Sequence, residues 1–206
     1  MIGSRLTGYR LPATGKVVAR SNFSHVVGFD DGPFDKYRQA SVPVVGAVFS
    51  DLRLEGVLTG RVRTDGANST RVLAEMVKTS KFAPQLQLVL LQGIALGGFN
   101  VIDLNGLHER LGIPVMVVAR RQPRLDRIRE ALLTRVPGGA RKWSLIERLG
   151  AMEPVAGVYV QRLGLSPGQA EEVIGRLAVH SNIPEPLRTA HLIAGGIATG
   201  QSRGRP

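Results

Sequence analysis

The sequence predicts an α/β fold built on one mixed β-sheet, in which antiparallel strands come first and parallel strands later. Short β-branched runs punctuated by glycine occupy the first third of the chain, and strand-sized apolar runs then alternate with amphipathic helical stretches. Hydrophobic residues make up 43% of the 206 residues and aromatic residues only 5%, so we expect an aliphatic core.

The first part of the chain is predicted to form a three-stranded meander. Its first strand spans Ser24–Asp30 and ends at the turn sequence DDGPFD. Val42–Phe49 and Leu52–Arg63 follow as an antiparallel hairpin. A helix capped by Asn68 or Ser69 comes next, because the apolar residues of VLAEMV recur at helical spacing.

Two crossover units are predicted to add parallel strands to this meander. The runs LQLVLL and VMVVA have the length and composition of buried strands, and the helical stretch Val101–Leu111 lies between them. Beyond Arg120 we expect a helix ended by VPGGARKW, a short helix in SLIERLG and a late strand in AGVYVQRL. A capped helix in SPGQAEEVIGRLAVH and a Pro-initiated helix in IPEPLRTAHLIAGGIATG then close the fold.

The chain is strongly basic, with a net charge of +11, and the excess is clustered. Residues 1–22 hold four basic residues and no acid, and residues 119–143 hold eight Arg or Lys against two acids. Clusters of this kind are typical of proteins that bind a polyanion, and the alternative is a solvated basic surface without a partner. We predict a single domain over residues 1–206, with a basic N-terminal segment (1–22) and a short basic tail (201–206).

Several classes of protein are excluded by composition. The absence of cysteine removes disulfides, thiolate metal sites and cysteine nucleophiles, and it fits a reducing compartment. No apolar run reaches the length of a membrane span or has the pattern of a signal peptide. We therefore expect a cytoplasmic protein without a membrane partner, and nothing in the sequence specifies its oligomeric state.

Asp30 and Asp31 form the most unusual pair in the sequence, because two like charges stand side by side at the end of a core strand. Adjacent carboxylates resist desolvation unless a cation lies near them. A divalent metal ion is one candidate, and an arginine is expected in its place where no metal binds. The alternative is that both residues build the Asp-Gly turn.

Three motifs together resemble the endonuclease V superfamily, and most closely its endonuclease dU branch. They are GFDDGPF at the end of the first strand, LLQGIALGGFNVIDL with LGIPVMVVAR in the middle, and NIPEPLRTAHLIA near the end. The resemblance covers the chain from about His25 to Pro206. It implies a ribonuclease H-like fold and a Mg²⁺- or Mn²⁺-dependent nuclease that acts on DNA, or on RNA, beside deaminated bases.

The resemblance also implies which carboxylates would do the chemistry. Asp30 matches the carboxylate of the first strand, and Asp31 stands next to it. Asp65 matches a second family carboxylate, although an acid near a helix N-terminus is also stabilised without any function. Gln92 occupies the position where the family has a third carboxylate. A glutamine offers one neutral carbonyl oxygen to a metal ion and cannot act as a general base.

The remaining site predictions concern nucleic acid. Arg120 matches a basic family position and could hold a phosphate through its planar fork of donors. We expect a phosphate-binding surface made of Arg120, Arg121, Arg124 and Arg127, with Lys142 and Trp143 extending it. Endonuclease V separates bases with a proline- and tyrosine-containing hairpin tip that has no counterpart here. Phe34 and Tyr37, in the loop after the aspartates, are therefore candidates for stacking on bases, or loop aromatics that cover the core.

The histidine of NIPEPLRTAHLIA, His191, is interpreted as a packed and hydrogen-bonded residue of the last helix rather than as a ligand. Two other functions stay open beside the nuclease. Asn68 and Gln92, where acids are expected, favour a nucleic-acid-binding protein that has lost catalysis. A partner-binding or ribosome-associated module could use the same basic face.

Overall fold

The fold is carried by a mixed sheet of seven strands in the order β3-β2-β1-β4-β7-β9-β8, in a computed structural model that describes residues 23–202. A two-stranded hairpin, β5 and β6, lies beside it. The strands are β1 His25–Asp31, β2 Ser41–Ser50, β3 Arg53–Arg63, β4 Leu88–Gln92, β5 Ala95–Leu96, β6 Asn100–Val101, β7 Val115–Ala119, β8 Glu153–Val155 and β9 Val158–Leu163. The predicted basic segment 1–22 lies outside the described residues, as do residues 203–206 of the basic tail predicted for 201–206.

The predicted order of antiparallel and parallel strands is confirmed. β1, β2 and β3 form an antiparallel meander, and β4 and β7 extend it on the other side of β1 as parallel strands. The late strand in AGVYVQRL is present as β9, which runs antiparallel to β7 and pairs with the short strand β8. β5, β6 and β8 were not predicted, because strands of two or three residues are too short to show a period.

Six helices flank the sheet within the described part of the chain. They are α1 Ser69–Lys78, α2 Leu104–Leu111, α3 Leu125–Arg135, α4 Gly139–Glu147, α5 Pro167–Leu177 and α6 Glu185–Thr199. None of them is both long and apolar enough to cross a bilayer.

Two helix boundaries differ from the sequence prediction for local reasons. Val101 lies in β6, so α2 begins only after Asp103, whose side chain accepts a hydrogen bond from the backbone N–H of Gly106 and caps the helix. The break predicted over VPGGARKW is confined to its first residues. Gly138 adopts a left-handed conformation (φ 67°) there, and α4 starts at the next residue.

The central strands are buried on both faces, which is typical of a sheet covered by helices on each side. Val27, Phe29 and Leu91 belong to the core formed with α1 and α2. Val26 and Leu90 belong to the core formed with α5 and the first turn of α6. β1 is therefore held on all sides, and the residues at its end have well-defined positions.

Helix α6 lies directly on β1. A Cβ atom on Gly28 would stand 2.5 Å from the carbonyl carbon of Pro186, so only glycine permits the observed approach. Further along, a Cβ on Gly32 would meet the backbone oxygen of Ala194 at 2.7 Å. The helix thus runs along the strand towards its carboxyl end, and His191 arrives beside Asp30.

Candidate active site

The carboxyl ends of β1, β4 and β7 meet at one edge of the sheet, because the three strands are parallel neighbours. Asp30 and Asp31 end β1, Gln92 ends β4, and Arg120 follows β7 directly. Asp65 reaches the same edge from the end of β3. These residues, which are far apart in the sequence, therefore lie at the same end of the sheet, although their contacts differ from the expected ones. We call this end of the sheet the carboxyl edge.

Asp30 is paired with a histidine. Its side chain is almost fully buried, Oδ2 lies 2.8 Å from His191 Nδ1, and Oδ1 accepts a hydrogen bond from the backbone N–H of Asp31. Burial raises the pKa of Asp30, and the hydrogen bond from His191 opposes that shift. The same hydrogen bond raises the pKa of His191. The structure thus pairs Asp30 with the imidazole of His191, where the sequence suggested a metal ion or an arginine.

Asp31 points away from Asp30, because successive side chains of a strand face opposite sides of the sheet. Its Oδ2 atom accepts a hydrogen bond of 2.7 Å from the backbone N–H of Gly97, in the turn between β5 and β6. Burial raises the pKa of Asp31 to about 6, and the negative charge of Asp30 adds to the shift. The two aspartates are tolerated together because each has its own partner on its own side of the sheet.

The side-chain oxygen of Gln92 receives no hydrogen bond from the residues that the structure describes. Its Oε1 atom is buried and has no hydrogen-bond partner among residues 23–202. Phe29 pairs with Leu91 in the parallel register of β1 and β4, so Asp30 and Gln92 are the next residues of adjacent strands and share a face. An orphaned buried oxygen beside a buried carboxylate is the kind of environment that a hard cation satisfies.

Both the side chain and the backbone of Asp65 form hydrogen bonds, and its carboxylate is also ion-paired. Its Oδ2 atom lies 2.7 Å from Lys36 Nζ, and its Oδ1 atom accepts a hydrogen bond of 2.8 Å from the backbone N–H of Phe99. Its own N–H donates to the carbonyl of Gly97, and its carbonyl accepts a hydrogen bond of 2.6 Å from Lys142 Nζ. Burial acts to raise the pKa of Asp65, but the hydrogen bonds from Lys36 and Phe99 outweigh it and hold the pKa below its ordinary value.

The structure therefore does not gather Asp30, Asp31 and Asp65 around one point. In the part of the chain from residue 23 to residue 202, no group of three or more His, Asp or Glu residues is arranged to hold a metal ion. Asp31 faces the opposite side of the sheet from Asp30, and Asp65 is occupied by Lys36. The oxygen donors that fit Mg²⁺ or Mn²⁺ are those of Asp30 and Gln92, and magnesium sites often use only one or two protein ligands.

The four predicted arginines lie where a phosphate backbone could reach them. Arg120, Arg121, Arg124 and Arg127 are all exposed, between the end of β7 and the first turn of α3. None of the four forms an ion pair with any residue of the 23–202 range. Their positive charges border the carboxyl edge and remain available to an anion.

Lys142 lies in the interior, which corrects its predicted place on the basic surface. Its side chain is buried, and Nζ donates to the backbone carbonyl of Asp65. Burial lowers the pKa of Lys142, and the negative charge of Asp65 opposes that shift. Trp143 packs against the core formed by α3 and α4, with its indole N–H 3.2 Å from Glu147 Oε1. Lys142 thus holds α4 to the end of β3 rather than extending outwards.

The two aromatic residues after the aspartates have different surroundings. Phe34 is partly buried against the core, close to the turn that joins β5 and β6. Tyr37 is 95% exposed. Of the two residues, Phe34 covers the core, as one interpretation predicts. Tyr37 has an exposed ring and stays a candidate for stacking on bases.

The partner of His191 is what the sequence does not indicate. The sequence favours a packed and hydrogen-bonded residue, and the structure shows that its hydrogen bond goes to the carboxylate of Asp30. His191 lies on α6, which approaches β1 closely at Gly28. That approach is a property of the tertiary structure and has no local sequence pattern.

The chain matches a known protein family over most of its length. Residues 22–198 match the family model described as Endonuclease dU. A UPF0215 protein of Deinococcus radiodurans is 57% identical over 187 residues, which cover 91% of this chain and 95% of that protein.

Two solved structures are similar to the fold. The crystal structure of a protein of unknown function from Archaeoglobus fulgidus has a TM-score of 0.78 at 34% identity, covering 84% of this chain and 97% of that one. Endonuclease V of Ciona intestinalis has a TM-score of 0.52 at 16% identity, covering 82% and 84%. The chain therefore belongs to the endonuclease dU family and has the ribonuclease H-like fold of endonuclease V.

Proposed function

We propose that the protein is a divalent-metal-dependent endonuclease that cuts DNA at or near deaminated bases, of the deoxyuridine or deoxyinosine type. The observation that carries the proposal is the pair of oxygen donors at the carboxyl edge, where the buried carboxylate of Asp30 stands beside the orphaned Oε1 atom of Gln92. The family match supports a nuclease, and the donor pair supports a metal-dependent one.

Asp30 and Gln92 would hold Mg²⁺ or Mn²⁺, because both offer oxygen atoms and Asp30 supplies the charge. A bound divalent ion at such a site polarises a phosphate oxygen and lowers the pKa of a coordinated water. His191 fixes the orientation of the Asp30 carboxylate through the 2.8 Å hydrogen bond. Rigid placement of the carboxylate matters because hydrolysis requires a precise position of the reacting phosphate.

Arg120, Arg121, Arg124 and Arg127 would bind the phosphates that flank the cut. Their guanidinium groups are exposed and free of ion pairs within residues 23–202, and they border the edge that carries Asp30. Contacts of this type contribute affinity and salt dependence but no sequence choice. The Ciona intestinalis structure is a complex with a 24mer DNA that contains an inosine followed by a ribo-adenosine, which supports a nucleic-acid substrate of this class.

The proposal is tested by incubating end-labelled duplex and single-stranded DNA, each with one deoxyuridine or one deoxyinosine, with the protein and Mg²⁺ or Mn²⁺. We expect metal-dependent nicking near the lesion that disappears in Asp30→Ala. Glu172→Ala is the matched control, because it removes an exposed carboxylate of α5 that lies outside the carboxyl edge. Nicking that persists in Asp30→Ala, or that does not require a divalent ion, would contradict the assignment.

A second function is favoured by two specific observations. Gln92 brings no charge to the site, and Lys36 occupies the carboxylate of Asp65. A nucleic-acid-binding protein without catalysis would need neither a carboxylate at position 92 nor a free carboxylate on Asp65. In the same experiment that protein would bind DNA in a salt-sensitive manner without nicking it, and Asp30→Ala would leave the binding unchanged.

A further inference from the structure

The loop between β1 and β2 presents an aromatic ring at the carboxyl edge. Tyr37 is 95% exposed, whereas the next most exposed large hydrophobic residue in the described part of the chain, Ile197, is 57% exposed. Single exposed apolar residues are common on protein surfaces, so exposure alone has no functional meaning. The surroundings of Tyr37 distinguish it.

Hydrogen bonds make the segment that carries Tyr37 a defined turn. The backbone N–H of Tyr37 donates to Asp35 Oδ1 at 2.9 Å, and the N–H of Gln39 donates to the Asp35 carbonyl at 2.9 Å. The loop is also tied at its far end, where the N–H of Thr64 donates to the carbonyl of Ala40 at 3.0 Å. The backbone that carries the ring is therefore ordered before binding, so binding costs little backbone entropy.

The turn is fastened to the site on both sides of the ring. Phe34 packs against the core beside the β5–β6 turn, and Lys36 reaches Asp65 with its Nζ atom 2.7 Å from Oδ2. The Lys36 ammonium group also lies 5.7 Å from the centre of the Phe99 ring. Arg38 follows Tyr37 with a side chain that is 87% exposed, and its Nε atom lies 3.7 Å from Asp35 Oδ2. The exposed ring of Tyr37 thus has a basic residue on each side in the sequence, in the loop that follows Asp30 and Asp31.

We infer that Tyr37 stacks on an unpaired base of the nucleic acid next to the scissile position, while the exposed side chain of Arg38 contacts an adjoining phosphate. An aromatic ring flanked by positive charges is the combination that binds single-stranded or locally opened nucleic acid, because every base offers a π face and every nucleotide a phosphate. The inference rests on the proposed function for the position of the cut, but not for the stacking itself.

The test measures DNA binding without cleavage, in a buffer with EDTA and no divalent ion. Probes are a single-stranded oligonucleotide and a duplex with one deoxyuridine, each titrated at several salt concentrations. Base stacking on an aromatic side chain contributes about 1–3 kcal/mol, so we expect Tyr37→Ala to weaken binding about 5- to 150-fold. The salt dependence should not change, because no charge is removed. Tyr37→Phe and Tyr37→Trp should bind like the wild type.

Leu52→Ala is the matched control, since Leu52 is an exposed apolar residue at the opposite edge of the sheet and its loss should leave binding unchanged. Wild-type affinity in Tyr37→Ala would overturn the inference, even where the wild type nicks DNA. Failure of the proposed function has a different signature. In that case neither the wild type nor any Tyr37 variant nicks DNA, while binding still depends on Tyr37. The inference then stands.

Discussion

The imidazole Nδ1 of His191 lies 2.8 Å from the carboxylate Oδ2 of Asp30, although the two residues are 161 positions apart in the sequence. This hydrogen bond joins the last helix of the fold to its central strand. Burial disfavours the charged form of Asp30, and His191 provides the largest opposing interaction. The contact therefore ties the stability of the α6–β1 interface to the protonation state of the site.

Replacing His191 by alanine should destabilise the protein. A hydrogen bond to a charged group contributes about 1.5–3 kcal/mol, so we expect His191→Ala to lower the free energy of unfolding at pH 7 by about 2 kcal/mol, measured by urea denaturation. His191→Asn keeps a donor and should lose less. In a double-mutant cycle with Asp30→Asn, a coupling energy close to zero would show that the two side chains do not stabilise each other.

The pKa of Asp31 predicts a pH dependence of stability. It is about 6 in the folded protein, against an ordinary value of 3.8. Between these values the folded state binds more protons than the unfolded state, so stability falls as pH rises from about 4 to about 6 and stays lower above that. We expect Asp31→Asn to remove this fall and to stabilise the protein at pH 8 by about 2 kcal/mol, after allowance for partial exposure.

The measurement is Tm between pH 4 and pH 8 for the wild type and for Asp31→Asn. Glu172→Gln is the matched control, because it removes one negative charge from the exposed face of α5. If the Tm curves of the wild type and Asp31→Asn run parallel over the whole range, Asp31 does not have the raised pKa.

Gly28 should tolerate no side chain. The added methyl group of Gly28→Ala would stand 2.5 Å from the carbonyl carbon of Pro186 and 2.7 Å from the backbone nitrogen of Leu187. Backbone atoms cannot move aside as a flexible side chain can, so we expect a loss of about 3 kcal/mol in urea denaturation. Gly175→Ala in α5 is the control, because its methyl group meets open space. In a helix that change should stabilise by about 0.5–1 kcal/mol.

Local patterns were sufficient to predict the meander, the two crossover strands and most helices. β2 and β3 are β-branched runs of strand length, and the apolar residues of α1 recur at helical spacing. The hairpin of β5 and β6 has two residues in each strand and no period at all. Its turn nevertheless supplies the N–H groups that bind Asp31 and Asp65, so part of the site was invisible in the sequence.

The site itself was predicted unevenly. Motif and charge indicated Asp30 and the edge on which it lies. The opposite orientation of Asp31 follows from strand alternation and could have been predicted from the sequence. The contact of His191 with Asp30 depends on how α6 crosses β1, and the burial of Lys142 depends on how α4 packs on the end of β3. Both are tertiary effects that no local pattern encodes.

Salt dependence of DNA binding should separate surface arginines from the buried lysine. Each phosphate contact contributes about one unit to the slope of log K against log salt concentration, so Arg124→Ala and Arg127→Ala should each reduce the slope by up to about 1. Lys142→Met should leave the slope unchanged, because its ammonium group binds the Asp65 carbonyl inside the protein. A reduction of the slope in Lys142→Met equal to that of Arg124→Ala would place Lys142 on the DNA.

The role of Gln92 can be measured without any nuclease assay. Replacing its neutral carbonyl oxygen by a carboxylate puts a second negative charge beside Asp30, so Gln92→Asp should have a lower Tm than the wild type when no divalent ion is present. A tenfold gain in Mg²⁺ affinity would raise the free energy of unfolding of Gln92→Asp by about 1.4 kcal/mol at saturating Mg²⁺, because a ligand that binds only the folded state stabilises it. The Gln92→Asn side chain has nearly the same shape as that of Gln92→Asp but carries no charge. We expect the Tm of Gln92→Asn to rise with Mg²⁺ no more than the Tm of the wild type does. Equal Mg²⁺ responses in the Asp and Asn variants would mean that no metal ion binds beside Asp30 and Gln92.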